Sequence, residues 1–550
     1  MRKFVIINLY ILIFWFIIPA ILIMISGRLD VLINFKHSSF LITGILVLVF
    51  SVPSLVISII QYYNFSGELP VSAYPPKNIL QRGIYNYLRH PVYLFYTTTF
   101  IGTGLLLGSL ALLIIVLPVF IIFTYIYILI EENGLTKRFG KAYTYYKKRT
   151  GLIIPSYYQL NRYPLLMLFK FLFHFKMNNT KLIPVSPPYF VISEHKNYLD
   201  PFFIGISFPH RVSFLTTYEM YRTPFMIRMM GLLGNIPRKR FKTDYTSNKL
   251  LHDAIDKGAV ISIFPEGERS WTGETQHFKP EVLKLLLKKN DIPIVPVKIT
   301  GNYPAWPRWS NSYKRYKITV DIKEPFYPDP AGSTDELETE ILHRLGTSTK
   351  PEKITGKPTD SVTGLEKVFY RCSECGEFNS FIVDKYMMTC QKCRFTLSVS
   401  SDLKISYNKN GSTRLMTVDE YYRSIKVNHD DPAFEKSESK IDSEEILIDL
   451  NESGKCQLFE EKGRTFKEIL NGNIFLSDKS IICKNSHIEY SFRYQDISSV
   501  TTESNDKLQF FILPTNQLYQ LIFQKGSVLQ WQDIITSAIE LKSNKEVNMR

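Results

Sequence analysis

Val191-Ile-Ser-Glu-His195-Lys-Asn-Tyr-Leu-Asp200-Pro-Phe202 is an apolar run broken by a polar turn and restarted by Asp-Pro. Such a pattern predicts a buried strand, a sharp turn and a helix. Pro201 suits the first helical position and Asp200 the cap before it. His195 then stands at the strand's end, where a side chain can face a ligand. Four residues separate it from Asp200, so the turn can fold the carboxylate back onto the imidazole. A carboxylate on one ring nitrogen fixes the tautomer and leaves the other nitrogen as a base. A second apolar strand runs into a polar, glycine-containing turn at Ile263-Phe-Pro-Glu266-Gly-Glu-Arg269-Ser-Trp271.

Residues 185–345 alternate strand and helix patterns. Strands are predicted at Tyr189–Ser193, Val212–Leu215, Val260–Phe264, Ile294–Ile299 and Lys317–Ile322, and helices at Leu250–Lys257 and Val282–Lys289. That alternation argues for an α/β layer. Within it four stretches follow in order: His195 to Asp200, Gly234-Asn235-Ile-Pro-Arg238, Phe264-Pro-Glu266-Gly267-Glu268-Arg269, and Ile292-Pro-Ile-Val295-Pro296. Together they resemble the glycerolipid acyltransferase family (1-acylglycerol-3-phosphate, PlsC-like), across residues 160–345. The resemblance implies transfer of an acyl group, from acyl-CoA or acyl carrier protein, to the hydroxyl of a lysophospholipid. In that reading His195 and Asp200 are catalytic, as base and orienting acid. Glu266, Gly267, Arg269 and Arg238 bind substrate, with Arg269 on the acceptor phosphate because its planar fork matches phosphate oxygens. Taken singly, Asp200 is equally a helix cap, a lone histidine more often a core residue, and Arg269 a surface ion pair. Glu268 stands where many family members carry Thr, and a carboxylate near the phosphate could alter acceptor preference.

Within the first 155 residues, the first 130 hold most of the apolar excess. Spans are predicted at 4–26 and 40–62, and two more between Pro91 and Ile130, broken near Gly108-Ser109. Arg2, Lys3, Lys77, Arg82 and Arg89 fall on one side, with Lys137, Arg138, Lys141, Lys147, Lys148 and Arg149; only Arg28 and Lys36 fall on the other. The positive-inside rule then puts both termini in the cytosol. The same block carries Gly83-Ile-Tyr85, Arg89-His90-Pro91-Val-Tyr93, Glu131-Glu132 and Phe139-Gly140-Lys-Ala-Tyr143. Residues 75–155 thus resemble the isoprenylcysteine carboxyl methyltransferase and phospholipid methyltransferase family of membrane enzymes. The resemblance implies S-adenosylmethionine as cofactor, with Arg89 forking its carboxylate, Glu131 or Glu132 on its amine or ribose, and His90 and Tyr93 lining the pocket. The plain alternative makes these residues boundary charges at helix exits. Residues 163–175 are too short to span and suit a helix lying in the interface, or a buried one.

After a polar linker at 346–366 come Cys372-Ser-Glu-Cys375 and Cys390-Gln-Lys-Cys393, with 14 residues between the pairs. Two such knuckles are zinc-ribbon spacing for residues 367–400, a closed structural zinc site. Cys456 and Cys483 are isolated and read as small buried residues. Residues 401–444 read as a mobile polar linker with one short helix near Tyr421. From 445 to 545 strands dominate: Ile446–Leu450, Asn473–Leu476, Ser480–Cys483, His487–Tyr494, Ile497–Thr501, Leu508–Leu513 and Tyr519–Phe523, then a helix at Val528–Leu541. Consecutive strands closed by one helix resemble a pleckstrin-homology or GRAM-type barrel.

The expected architecture is therefore multi-domain: an α-helical membrane domain, an α/β acyltransferase domain, a zinc ribbon and a β-rich C-terminal domain. The net charge of +15, from 66 Lys+Arg against 51 Asp+Glu, suits anionic lipid headgroups. Nucleic acid is not expected as a partner, since no long basic block accompanies the charge. The expected partners are membrane lipids, the lysophospholipid and its acyl donor. The expected location is a bacterial cytoplasmic membrane.

Overall fold

The computed structural model describes the chain from residue 8 to residue 547, apart from residues 10, 33–39, 71–75, 77, 81–82, 141–142, 145, 148–149, 185–186, 222, 240, 242–244, 347–361, 410, 429–430, 432–439, 442–443, 449–454, 464, 478 and 525. The loop charges at Arg2, Lys3, Lys36, Lys77, Arg82, Lys141, Lys148 and Arg149 lie outside the described residues, as do most of the linker and much of the acidic stretch after Asp430. The chain divides into two compact units. One comprises 1–165, 185–187 and 209–211; the other comprises 166–184, 188–208 and 212–550.

The first unit is helical. Its helices α1 (Ile13–Leu32), α2 (Leu41–Ser66) and α4 (Leu112–Phe139) are long and apolar enough to cross a membrane. The fourth expected span, α3 (Pro91–Leu107), is shorter, because Gly108 turns left-handed at φ 66° and closes it. By length alone, then, three of the four expected helices qualify. Small residues let α2 and α3 approach closely: a Cβ on Gly44 would lie 2.8 Å from the Leu106 amide. At the break between α3 and α4, Asp30 accepts from Ser109 Oγ (2.5 Å) and the Ala111 amide (2.8 Å). Those bonds satisfy donors that the start of α4 would otherwise leave open.

The second unit opens with a seven-stranded sheet in the order β1-β7-β6-β2-β5-β3-β4. Its strands are β1 (Lys176–Asn178), β2 (Tyr189–Ser193), β3 (Val212–Thr217), β4 (Ile236–Arg238), β5 (Val260–Ile263), β6 (Ile294–Thr300) and β7 (Thr319–Ile322). Strands β2, β5, β3 and β4 run parallel, as does β6 beside β2, so the ends that follow these five strands share one edge. The five strands expected from hydrophobic runs are present. Two edge strands, β1 and β4, are short and half-exposed, so no apolar run marks them. β2 is buried at every position, which is what its unbroken run Tyr189-Phe-Val-Ile-Ser193 requires.

Beyond it lie a five-stranded antiparallel sheet, ordered β12-β11-β10-β9-β8, and a nine-stranded one. The first runs from β8 (Phe381–Asp384) and β9 (Met387–Cys390) through β10 (Thr396–Val399) and β11 (Lys404–Lys409) to β12 (Ser412–Thr417). The second holds β13 (Lys440–Ile441), β14 (Glu444–Ile448), β15 (Lys455–Lys462), β16 (Thr465–Ser477), β17 (Ser480–Lys484), β18 (Glu489–Arg493), β19 (Ile497–Glu503), β20 (Lys507–Ile512) and β21 (Gln517–Phe523). Of the hairpin β15–β16 only Asn473–Leu476, at the end of β16, is expected from the sequence; the charged, half-exposed alternation of the rest (Glu460-Glu-Lys462) hides the strand signal. A closing helix runs over Val528–Val547. The short helix expected near Tyr421 is Val418–Ile425, started by a reciprocal Thr417–Glu420 cap.

These parts share one hydrophobic core. Trp271, Tyr303 and Trp309, from the first sheet's surroundings, are continuous with Phe369, Cys372, Cys390, Leu508 and Trp531. The second unit therefore buries its tail against the α/β layer rather than carrying it on a tether.

Candidate functional site

His195 and Asp200 meet at the edge where β2, β5, β3 and β4 end. Asp200 Oδ2 lies 3.0 Å from His195 Nδ1 and also accepts the Lys196 and Asn197 amides, each at 2.7 Å. Its other oxygen accepts Asn302 Nδ2 at 2.8 Å. Asp200 is completely buried, so these four contacts are what make its charge tolerable there. The expected cap role is corrected: Leu199 occupies the cap, Asp200 is the first helical residue, and its carboxylate turns back into the loop. Asn197 and Asn302 went unrecognised in the sequence; Asn197 Nδ2 donates to the Asn302 carbonyl at 2.6 Å, closing the network.

The imidazole stacks on Phe264, with 4.2 Å between ring centres. Burial lowers the His195 pKa below 6.5, while Asp200 opposes that shift. Burial thus favours the neutral ring, with Nδ1 engaged by Asp200. The second turn is sewn to the first: the His195 amide donates to Glu266 Oε2 (3.0 Å), and the Ser270 amide to the His195 carbonyl (2.9 Å). Burial pushes the Glu266 carboxyl up to about 8, with Glu194 adding to the effect. Gly267 sits at φ 80°, a conformation that a side chain resists.

The guanidinium carbon of Arg269 lies over Tyr198, 3.3 Å from its ring centre. Its Nη1 is buried and takes no hydrogen-bond partner among the described residues. Glu268 points to Arg308, 3.4 Å away. Arg238 ends β4, two strands beyond β5 in the sheet order; it is exposed and its partner is Glu281 at 3.4 Å. No contact draws Arg238 into the His195–Arg269 group among the described residues.

In the first unit the residues expected for a cofactor also come together. Glu132 accepts Arg89 Nε (2.7 Å) and Lys147 Nζ (2.8 Å), with His90 Nε2 at 3.4 Å. Tyr93 donates to Glu131 at 3.1 Å. Arg89, His90, Tyr93 and Glu131 line one cavity with Tyr62 and Tyr143. The fork expected from Arg89 is turned elsewhere: Nη1 donates to the carbonyls of Lys147 (2.6 Å) and Thr150 (2.7 Å). It holds the segment after α4, where the amides of Arg89 and His90 in turn reach the carbonyls of Gly151 and Leu152. One carboxylate, Glu131, among aromatic walls suits a cation that carries hydrogen-bond donors.

The four expected thiols also converge. Cys372, Cys375, Cys390 and Cys393 place all their Sγ atoms within 4.8 Å of one another, with Cys372–Cys393 and Cys375–Cys390 at 3.7 Å. A tetrahedron of about 2.3 Å bonds has edges of about 3.8 Å.

An imidazole held by a buried acid and a guanidinium with a vacant donor thus lie on two adjoining turns of a largely parallel α/β sheet. Residues 174–300 match the family described as Acyltransferase, and residues 40–142 the family described as Phospholipid methyltransferase. A chloroplastic 1-acyl-sn-glycerol-3-phosphate acyltransferase of Brassica napus is 26% identical over 29% of this chain and 46% of its own. The 1-acyl-sn-glycerol-3-phosphate acyltransferase of Saccharomyces cerevisiae is 32% identical over 25% of this chain and 47% of its own. The chain thus spans about half the length of these curated relatives. Among solved structures, the 1-acyl-sn-glycerophosphate acyltransferase PlsC of Thermotoga maritima aligns at 21% identity, over 36% of this chain and 81% of that one, with a TM-score of 0.31.

Proposed function

We propose that the second unit transfers an acyl group from an acyl thioester, carried by coenzyme A or acyl carrier protein, to the hydroxyl of a lysophospholipid such as 1-acylglycerol-3-phosphate. The observation that carries this reading is the 3.0 Å pair between His195 Nδ1 and the buried Asp200. With Nδ1 engaged, Nε2 takes the proton of the acceptor hydroxyl as its oxygen attacks the thioester carbon. Asp200 stabilises the imidazolium that results. The C–S bond then breaks, and the imidazolium returns the proton to the departing thiolate. Arg269, with Nη1 buried and unmatched, receives the acceptor's phosphate. Arg238 adds an outer contact at the same sheet edge, and Gly267 lets the turn approach the ligand. His195→Ala in membranes should lower labelled acyl incorporation at least about a hundredfold; unchanged incorporation would remove the reading.

A second activity is supported by the first unit's cavity. Bound S-adenosylmethionine supplies an electrophilic methyl group. Glu131 and Tyr93 would hold its amine and hydroxyls, the tyrosine walls its cationic sulfur, and Arg89 the frame behind them. Methyl transfer from labelled cofactor, lost in Glu131→Gln, tests it.

Four thiolates at tetrahedral spacing are read as a structural zinc site. The same reading puts both termini on the cytosolic side and lets exposed Met167, Leu168 and Phe171 rest in the lipid interface. The terminal sheet and its helix are read as a pleckstrin-homology or GRAM-type module.

A further inference from the structure

One side chain joins the turn that carries Arg269 to the C-terminal sheet. Arg308 is buried, and its guanidinium spends its donors on two distant parts of the chain. Nε donates to the Ser504 carbonyl (2.9 Å) and Nη2 to the Thr502 carbonyl (2.5 Å), at the end of β19. Nη1 donates to the Arg269 carbonyl (2.9 Å) and lies 3.4 Å from Glu268 Oε2. The group also covers Trp271 at 4.7 Å, and Trp271 Nε1 donates to Thr502 Oγ1 at 3.1 Å. Asn505 reaches Asn311 at 2.9 Å beside it.

Glu268 precedes Arg269 directly. A carboxylate left unpaired there would repel an incoming phosphate and compete for the Arg269 guanidinium. Arg308 cancels that charge and holds the Arg269 backbone. Two of the bonds that orient it go outside the α/β layer, to carbonyls of β19 and the turn after it. We propose that Arg308 is a positioning residue for the acceptor-phosphate site and that the C-terminal sheet is a working part of that site. The inference rests on Arg269 being the phosphate ligand, as proposed above.

The test uses the full chain in lipid nanodiscs, with labelled acyl-CoA and 1-acylglycerol-3-phosphate. Arg308→Gln should raise KM for the acceptor about tenfold and leave kcat within about threefold, because ground-state anion binding is what is lost. Adding Glu268→Gln to that variant should bring KM back to within about threefold of wild type, since no charge then needs cancelling. An unchanged KM in Arg308→Gln, or a double variant no better than the single one, would overturn the proposal. If Arg308→Gln does not fold, Arg308→Lys is measured instead; it keeps the charge and loses the fork. A KM raised about threefold or more at constant kcat supports the proposal, and an unchanged KM overturns it. Wild-type protein without His195-dependent acyl transfer would remove the acyltransferase reading itself. Normal wild-type transfer with flat Arg308 results removes only the present inference.

Discussion

Glu266 Oε2 accepts the backbone amide of His195 at 3.0 Å, so the second turn sets the position of the residue proposed as base in the first. The carboxyl is buried, and the acid form suits that burial: its pKa rises to about 8, with desolvation the largest cause. The two turns are 71 residues apart in the chain yet act as one piece.

The burial of Glu266 sets a pH dependence of stability. The folded protein holds the Glu266 proton more tightly than the unfolded chain, whose carboxyl titrates near 4.5. Its stabilising contribution is therefore complete below pH 4.5 and is lost as pH climbs to about 8. Glu266→Gln has no proton to lose. Melting of the detergent-solubilised protein from pH 5 to 9 should show wild type falling relative to this variant; parallel curves would refute the assignment.

Asp200→Asn should lower acyl transfer by roughly a hundredfold and also move its pH profile. Asp200 raises the His195 pKa against the dominant lowering by burial. Removing the charge lowers that pKa further, so the acidic limb of kcat/KM moves to lower pH. A limb that stays in place, or rises, would separate the two residues functionally.

Loss of Cys372 and Cys375 should abolish metal binding, read as zinc per chain by mass spectrometry. Cys372 and Cys390 belong to the same core as Trp271 and Trp309. The double serine variant should therefore lower the melting temperature of the whole second unit in one transition. A separate low-temperature transition, with the acyltransferase part unaffected, would show the ribbon to be independent.

In the first unit, Arg89→Ala and Glu131→Gln should fail differently. Arg89 ties Glu132 and two carbonyls, so its removal strands buried groups and costs about 3–5 kcal/mol of stability. Glu131→Gln should leave stability near wild type and weaken S-adenosylmethionine binding at least about tenfold by calorimetry. Equal loss of stability in both would make the cluster purely structural.

Local order and spacing determined much of this protein in advance. The run at 189–193, the four-residue gap from His195 to Asp200 and the two Cys-x2-Cys knuckles each act within a few residues, where chain connectivity limits the geometry. Asp200 was misread in one respect: a cap and an inward carboxylate look alike until the amides of Lys196 and Asn197 claim the oxygen. Strand β15 and the first part of β16 escaped because charged residues interrupt their apolar alternation. Tertiary structure alone decided the rest. Glu268 stood out as unusual, but its partner Arg308 lies 40 residues on, and that arginine's carbonyl acceptors 194 and 196 residues further. Carbonyls carry no side-chain signature, so a contact made to backbone across such distances leaves no mark in the sequence.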